Sequence, residues 1–195
     1  EVFFQLDPAI VIDWHISEGD WAKENQTLFS ISGNARVLLS GERCALNFLQ
    51  TLSGTATTAR QYANLTTQSK IRILDTRKTI PGLRLAQKYA VDIGGCSNHR
   101  IGLYDAFLIK ENHIIACGGI ANAVNKAKQM SPDKEIEVEV ECLDELKQAV
   151  SAGADRVMLD NFTREQIMQI KAIDLGNTKI EVSRSEERRV GKECR

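Results

Sequence analysis

Beyond Lys70 the sequence settles into short apolar runs separated by helical stretches, and this alternation constrains the fold more than any other feature. The runs Ile71–Asp75, Ala106–Lys110, Ile136–Val140, Arg156–Asp160 and Lys179–Val182 read as strands, and Gly82–Tyr89, Ile120–Met130, Leu143–Ala152 and Thr163–Ile173 read as helices. Alternation of this kind implies parallel β-α-β units, because parallel neighbours need a crossover long enough to hold a helix. The polar residues fall at one place in the pattern. Asp75-Thr76-Arg77-Lys78, Lys110, Glu139, Asp160 and Ser183 each stand at the C-terminal end of a predicted strand, where an α/β barrel assembles its active site. A doubly wound open sheet also gathers groups at that edge; the barrel is the favoured expectation.

The opening third is different. Ile10 to Ile16 and Thr27 to Ser32 alternate apolar and polar residues, with Ser17-Glu18-Gly19-Asp20 supplying a turn between them. From Leu38 to Leu65 apolar positions recur at steps of three and four behind a candidate Ser40 cap, which predicts a helix that Gly54 interrupts or bends. The expected organisation is part of a small β-rich α/β sandwich domain over 1–40 and an incomplete, open α/β barrel of parallel strands over 41–183. A charged tail over 184–195 continues no periodicity and is expected to be disordered and artefactual.

Composition narrows the functional classes. A net charge of −1 argues against a general nucleic-acid or membrane-binding surface, since those carry a marked excess of Lys and Arg. No apolar run approaches the ~18 residues of a membrane span, and the first residues lack a signal-peptide n-region. A cytoplasmic protein is the expectation. Cys44, Cys96, Cys117, Cys142 and Cys194 are scattered and form no C-x-x-C pair, so they read as reduced thiols rather than a disulfide framework or zinc site.

Six blocks stand in order: Gly41 to Phe48, Asp75-Thr76-Arg77-Lys78-Thr79-Ile80-Pro81-Gly82-Leu83-Arg84, Gly94-Gly95-Cys96-Ser97-Asn98-His99-Arg100 on to Leu103, Asp105 to His113, Glu137-Val138-Glu139-Val140-Glu141, and Met158-Leu159-Asp160-Asn161-Phe162. In sequence and spacing they closely resemble the quinolinate phosphoribosyltransferase family, and the resemblance spans about residues 1 to 183. It implies a decarboxylating pentosyltransferase that joins quinolinate to phosphoribosyl pyrophosphate, giving nicotinate mononucleotide, pyrophosphate and carbon dioxide in NAD biosynthesis. It further implies a homodimer or larger assembly with sites at subunit interfaces, Arg43 being donated across the interface.

By the same resemblance the substrate pocket takes Arg43, Thr76, Arg77, Lys78, His99, Arg100, Lys110, Glu139, Asp160 and Ser183. The chemistry agrees, because both substrates are polyanions, and arginine's planar fork grips a carboxylate or phosphate bidentately while lysine supplies a point charge. Considered alone, Arg77-Lys78 would equally be a solvated loop and His99 a structural histidine. Lys110 closes an apolar run, where a lysine is seldom inside without a partner. Glu137, Glu139 and Glu141 share one side of a strand, which on an edge would simply be solvated. Glu139 and Asp160 are assigned by the resemblance to the ribose and, indirectly, to Mg2+ bound with pyrophosphate; carboxylates there stabilise an oxocarbenium-like state. Lys78 and Lys110, with Glu139 and Asp160, are the catalytic candidates, the lysines holding the departing carboxylate. No organic cofactor is expected, since the pyridinium ring accepts the electrons left by decarboxylation.

Two departures stand out. Cys96 occupies the place of the family's usual third glycine, and after Ser183 the family continues with a glycine where this chain has Arg184. The family's later glycine-rich turns, which bind the 5′-phosphate, do not follow. The sequence is therefore expected to be truncated at both ends, inactive as it stands and prone to aggregate through exposed strand edges. The competing readings are a molybdenum-transport-associated paralogue, a nicotinate phosphoribosyltransferase, whose substrate has one carboxylate and needs fewer basic groups, and a non-catalytic interaction module with a lipoyl-like domain. The last leaves Lys110, Glu139 and Asp160 unexplained.

Overall fold

Alternating residues near the start of the chain form a ribbon rather than a sheet. In the computed structural model, which describes residues 1–183, helix α1 (Val2–Leu6) leads to an antiparallel pair, β1 (Val11–Trp14) and β2 (Phe29–Ser32), with Trp14 opposite Phe29. Their rings sit 4.9 Å apart, the cross-strand aromatic contact that steadies a two-stranded ribbon. The expectation for 184–195 lies outside the described residues. Two compact units form, one from Glu1 to Ile101 and one beginning at Gly102.

Helix α2 (Ala35–Leu65) is continuous through Gly54. Its cap is not Ser40 but Asn34, whose side chain accepts from the Arg36 N–H at 2.9 Å. Ser40 lies one turn inside, its hydroxyl donating to the Arg36 carbonyl, a bond open to serine within a helix. At Gly41 a Cβ would come within 2.8 Å of the Phe3 ring, so glycine lets α1 seat against α2. Helix α3 (Arg84–Ile93) packs on α2. The approach is closest at Gly94, where a Cβ would meet the Ala56 carbonyl at 2.6 Å. Arg60 of α2 donates to the Ile93 and Gly94 carbonyls at 3.0 and 2.8 Å, satisfying acceptors that the end of α3 leaves open.

The predicted strand Ile71–Asp75 does not form. One parallel bridge joins Leu74 to Ser97, and Ile71 is two-thirds exposed. A strand exists through a ladder of partners, and within this unit the 97–101 segment offers Leu74 a single one.

The second unit keeps the expected alternation, with one helix that the periodicity did not announce: β3 (Phe107–Ile109), α4 (Glu111–Cys117), α5 (Ile120–Met130), β4 (Ile136–Val140), α6 (Leu143–Ser151), β5 (Arg156–Asp160), α7 (Arg164–Gln169) and β6 (Lys179–Ser183). The predicted helix Thr163–Ile173 begins one residue later, capped by Thr163, and tightens into a 3₁₀ turn at Ile170–Ala172. The strands are all parallel and lie in the order β3-β4-β5-β6. Consecutive neighbours joined by right-handed crossovers carry every helix to the same side, whereas a doubly wound sheet reverses at a switch point. This is barrel winding.

Register then sorts the side chains. Leu108 pairs with Glu137, Glu137 with Arg156 and Arg156 with Lys179; two residues on, Glu139 pairs with Met158 and Met158 with Glu181. These share one face. The other face carries Phe107, Ile109, Ile136, Val138, Val140, Val157, Leu159, Ile180 and Val182. Val138, Val140, Val157 and Leu159 are fully buried, packed with Val124, Leu146 and Phe162. Truncating Leu159 to alanine leaves a hole on this face and is expected to lower unfolding free energy by about 2–5 kcal/mol in a denaturant titration, whereas Lys179→Ala on the polar face leaves it nearly unchanged.

Candidate active site

The polar face of β3 to β6 ends in a row of functional groups. Lys110, just past β3, forms an ion pair with Glu139 on the neighbouring β4, because Ile109 and Val138 are register partners one residue earlier. The Lys110 backbone N–H donates to His113 Nδ1 at 3.0 Å, tying the start of α4 to the strand end. Lys110 is nearly half exposed, so it is partnered, as expected, but open to solvent rather than inside. Asp160 closes β5 beside Ser183 of β6 and is 7% exposed. A carboxylate so buried needs donors, and Asn161 Nδ2 supplies one to Asp160 Oδ2 at 2.9 Å. Asn161 does so from a left-handed backbone, φ 60°, which asparagine tolerates better than most residues.

Further back on the same face, Glu137 is 3% exposed, which rules out a solvated edge. At the N-terminal end of the strands Arg156 reaches Glu181 and Glu135 at 3.2 Å each, and Lys179 reaches Glu135 at 3.4 Å. Burial alone would push the Glu135 carboxyl up, but hydrogen bonding and charge from Arg156, aided by Lys179, hold it below the usual range. Burial likewise opposes the charge on Arg156, and the carboxylates around it outweigh that and raise its pKa. These groups neutralise one another, Arg156 contributing most and the exposed Lys179 little. Lys110, Glu139, Asp160 and Ser183 stand at the opposite, carboxyl edge.

The basic set of the first unit occupies two loops. In 75–79, Thr76 and Lys78 are exposed and the Thr76 hydroxyl accepts from the Lys78 N–H at 3.0 Å. Arg77 is half-buried, and its Nε, shielded from solvent, has no hydrogen-bond partner among the described residues. His99 and Arg100 are half-buried in the 97–101 loop. Asp75 links the loops, its Oδ1 accepting from the His99 N–H at 2.8 Å. The Asn98 amide, oriented so that both its ends are satisfied, donates to Asp75 Oδ2 at 2.6 Å and to the Lys88 carbonyl at 3.0 Å. Lys88, 3% exposed, ion-pairs with Asp75 and donates to the His99 carbonyl at 2.8 Å. Arg43 stands apart, exposed on α2.

Within each unit the expected residues are therefore gathered, Arg43 excepted. Four supporting residues, Lys88, Arg84, Asn98 and Asn161, lie outside the set of candidate site residues. A signal existed for two of them: Arg84 and Lys88 lie four apart on a predicted helix, on one face, just after the strand end at Asp75. Glu139 and Asp160 offer the hard oxygen ligands that Mg2+ takes together with water and phosphate. With Lys110 already on Glu139, they suit a metal held mainly by its phosphate ligand.

Known proteins resemble this chain over most of its length. The model for the quinolinate phosphoribosyl transferase C-terminal domain matches residues 55–186, and the model for the N-terminal domain matches residues 1–53. A probable nicotinate-nucleotide pyrophosphorylase [carboxylating] of Bacillus subtilis is 43% identical over 184 residues, covering 94% of this chain and 64% of the relative. A chloroplastic nicotinate-nucleotide pyrophosphorylase [carboxylating] of Arabidopsis thaliana is 42% identical, with 83% and 49% covered. The chain thus spans less than two-thirds of either. The nicotinate-nucleotide pyrophosphorylase structure from Francisella tularensis superimposes with a TM-score of 0.91 at 53% identity, covering 97% of this chain and 68% of that one. The NadC structure from Streptococcus pyogenes gives 0.89 at 40% identity, with 95% and 66% covered.

Cys96, in place of a third glycine, costs the loop no strain. Gly95 takes the left-handed φ of 93°, and Cys96 is not among the positive-φ residues. The Cys96 thiol is buried and donates to the Ala59 carbonyl at 3.2 Å, and burial pushes its pKa up. Cys44 and Cys142 are exposed and free. Since the thiolate is the reactive form, alkylation of the native protein at pH 8 is expected to label Cys44 and Cys142 promptly. Cys96 should react only on denaturation, as peptide mass mapping would reveal.

Proposed function

The chain belongs to the quinolinate phosphoribosyl transferase family, and on that premise we propose that the protein transfers the phosphoribosyl group of phosphoribosyl pyrophosphate to quinolinate with decarboxylation, as a pentosyltransferase of NAD biosynthesis. The observation that carries this reading is the row Lys110, Glu139, Asp160 and Ser183 at the carboxyl edge of four consecutive parallel strands. An exposed lysine held by one carboxylate beside a second, buried carboxylate suits a reaction in which an anionic acceptor meets a sugar developing positive charge.

In this proposal the pyridine nitrogen attacks the ribose anomeric carbon as the bond to pyrophosphate breaks. Glu139 and Asp160 stabilise the oxocarbenium-like sugar, Asn161 holding Asp160 in place. The ring, now a pyridinium, retains the electron pair when the carboxylate beside the nitrogen leaves as carbon dioxide, and the resulting ring carbanion takes a proton. Lys78 and Lys110 are each candidates for holding that carboxylate and stabilising the carbanion, and because the pyridinium is itself the electron sink no organic cofactor is required. Arg77, His99 and Arg100 receive the anionic groups of the substrates; the partnerless Arg77 Nε is a donor that a carboxylate or phosphate oxygen would satisfy. Thr76 and Ser183 donate hydroxyls. Mg2+, carried by pyrophosphate near Glu139 and Asp160, neutralises the leaving group. Arg43, exposed on α2, serves the site of a neighbouring subunit in a homodimer. A cytoplasmic location fits the four cysteines that are free among the described residues, none of whose helices is long and apolar enough to cross a membrane.

Calorimetry on the full-length protein tests the reading: quinolinate should bind at least tenfold more tightly than nicotinate, about 1.4 kcal/mol. Lys110→Ala should reduce turnover by about a hundredfold or more, the loss typical of one electrostatic stabiliser. Equal affinity for the two acids, or unchanged turnover in Lys110→Ala, would contradict it.

A further inference from the structure

The two loops that carry Arg77-Lys78 and His99-Arg100 share one backbone bridge, Leu74 with Ser97, closed by Asp75 N–H to Ser97 O at 3.0 Å and Ser97 N–H to Ile73 O at 2.8 Å. A single bridge cannot fix two loops in register, and side chains from α3 supply the rest. Arg84 Nη2 donates to the Arg77 carbonyl and Nη1 to the Ile101 carbonyl, each at 3.2 Å, while Nε meets Thr79 Oγ1 at 3.4 Å. One turn later Lys88 bonds the Asp75 carboxylate and the His99 carbonyl. Each cation takes partners from both loops.

We infer that Arg84 and Lys88 are positioning residues, a two-cation clamp that sets the separation of Arg77-Lys78 from His99-Arg100 and thereby the fit to a substrate with two carboxylates. The inference rests on the function proposed above and deepens it. Lys88 is closed to solvent, and the half-buried Arg84 commits its three guanidinium nitrogens to Thr79, Ile101 and Arg77. Lys88 is 3% exposed and Asp75 has an 8% exposed side chain, a depth at which desolvation offsets much of the attraction and an apolar pair of similar volume is commonly as stable. What an ion pair offers that an apolar pair does not is direction: the Lys88 ammonium fixes Asp75 and His99 O at once, and Asp75 returns acceptors to His99 N–H and the Asn98 amide. The clamp therefore grips the backbone on the His99 side at two points, the His99 N–H and the His99 carbonyl.

The test compares wild type, Lys88→Met and the double variant Asp75→Asn with Lys88→Met in the full-length protein, reading melting temperature, amide exchange at His99, and KM for quinolinate beside kcat. The single variant strands a buried carboxylate and should melt lower; the double variant removes that charge and should recover most of the loss. If the pair positions the loops, both variants keep a quinolinate KM raised at least tenfold and a His99 amide exchanging at least tenfold faster than wild type. Recovery of KM together with melting temperature in the double variant would reduce the pair to a structural one and overturn the inference. Should the single variant fail to fold, the double variant decides alone. Wild type without affinity for quinolinate would overturn the parent reading and the functional half of this one, whereas unchanged His99 exchange in the double variant overturns the clamp whatever the substrate.

Discussion

Burial of one face of the β3 to β6 sheet against its helices is the interaction on which the second unit depends. A parallel sheet ordinarily hides both faces under helices, and its strands then read as continuous apolar runs. Here the register puts Val138, Val140, Val157 and Leu159 on the helix side at full burial and charged residues on the other. Sequential winding makes this possible, because it brings every crossover to the same side. The opposite face is then free to be polar, and its charges are arranged in opposition: Arg156 and Lys179 against Glu135 and Glu181, Lys110 against Glu139. A misregister of one residue would exchange the two faces, burying those charges without partners.

The first unit solves a different problem by different means. Its basic loops lack a sheet to hold them, and helix α3 supplies two cations as crosslinks, Lys88 buried and Arg84 half-buried. The tight approach of α3 to α2 at Gly94, with Arg60 capping α3, fixes that helix in turn. Order thus passes from a helix contact to a side-chain network and then to the loops.

Much of this was legible in the sequence. The strands at 136–140, 156–160 and 179–183 and the helices at 120–130 and 143–151 follow from periodicity, since each buries one stripe or one alternating set. The grouping of Lys110, Glu139, Asp160 and Ser183 at one edge was legible because each stands at the end of a predicted strand. The failed strand at 71–75 shows the limit: a β-like composition says nothing about whether partners exist. Lys88 shows another: its spacing from Arg84 marks a shared helix face, but that this face points inward emerges only once Asp75 and His99 are placed beside it. Asn161 was hidden because its part is conformational, a left-handed residue that aims a donor at its neighbour. Ser40 looks like a cap in sequence, but a serine one turn inside a helix bonds backward to its own turn.

We propose that substrate binds at the carboxyl edge of the four parallel strands, while the charges at their N-terminal edge serve the fold. Nuclear magnetic resonance titration of the full-length protein with phosphoribosyl pyrophosphate and then quinolinate reads the two edges separately. The account predicts that shifts concentrate at Lys110, Glu139, Asp160, Asn161 and Ser183 and leave Glu135, Arg156 and Lys179 in place. Shifts centred on the Glu135, Arg156 and Lys179 cluster, with the carboxyl edge unmoved, would contradict it.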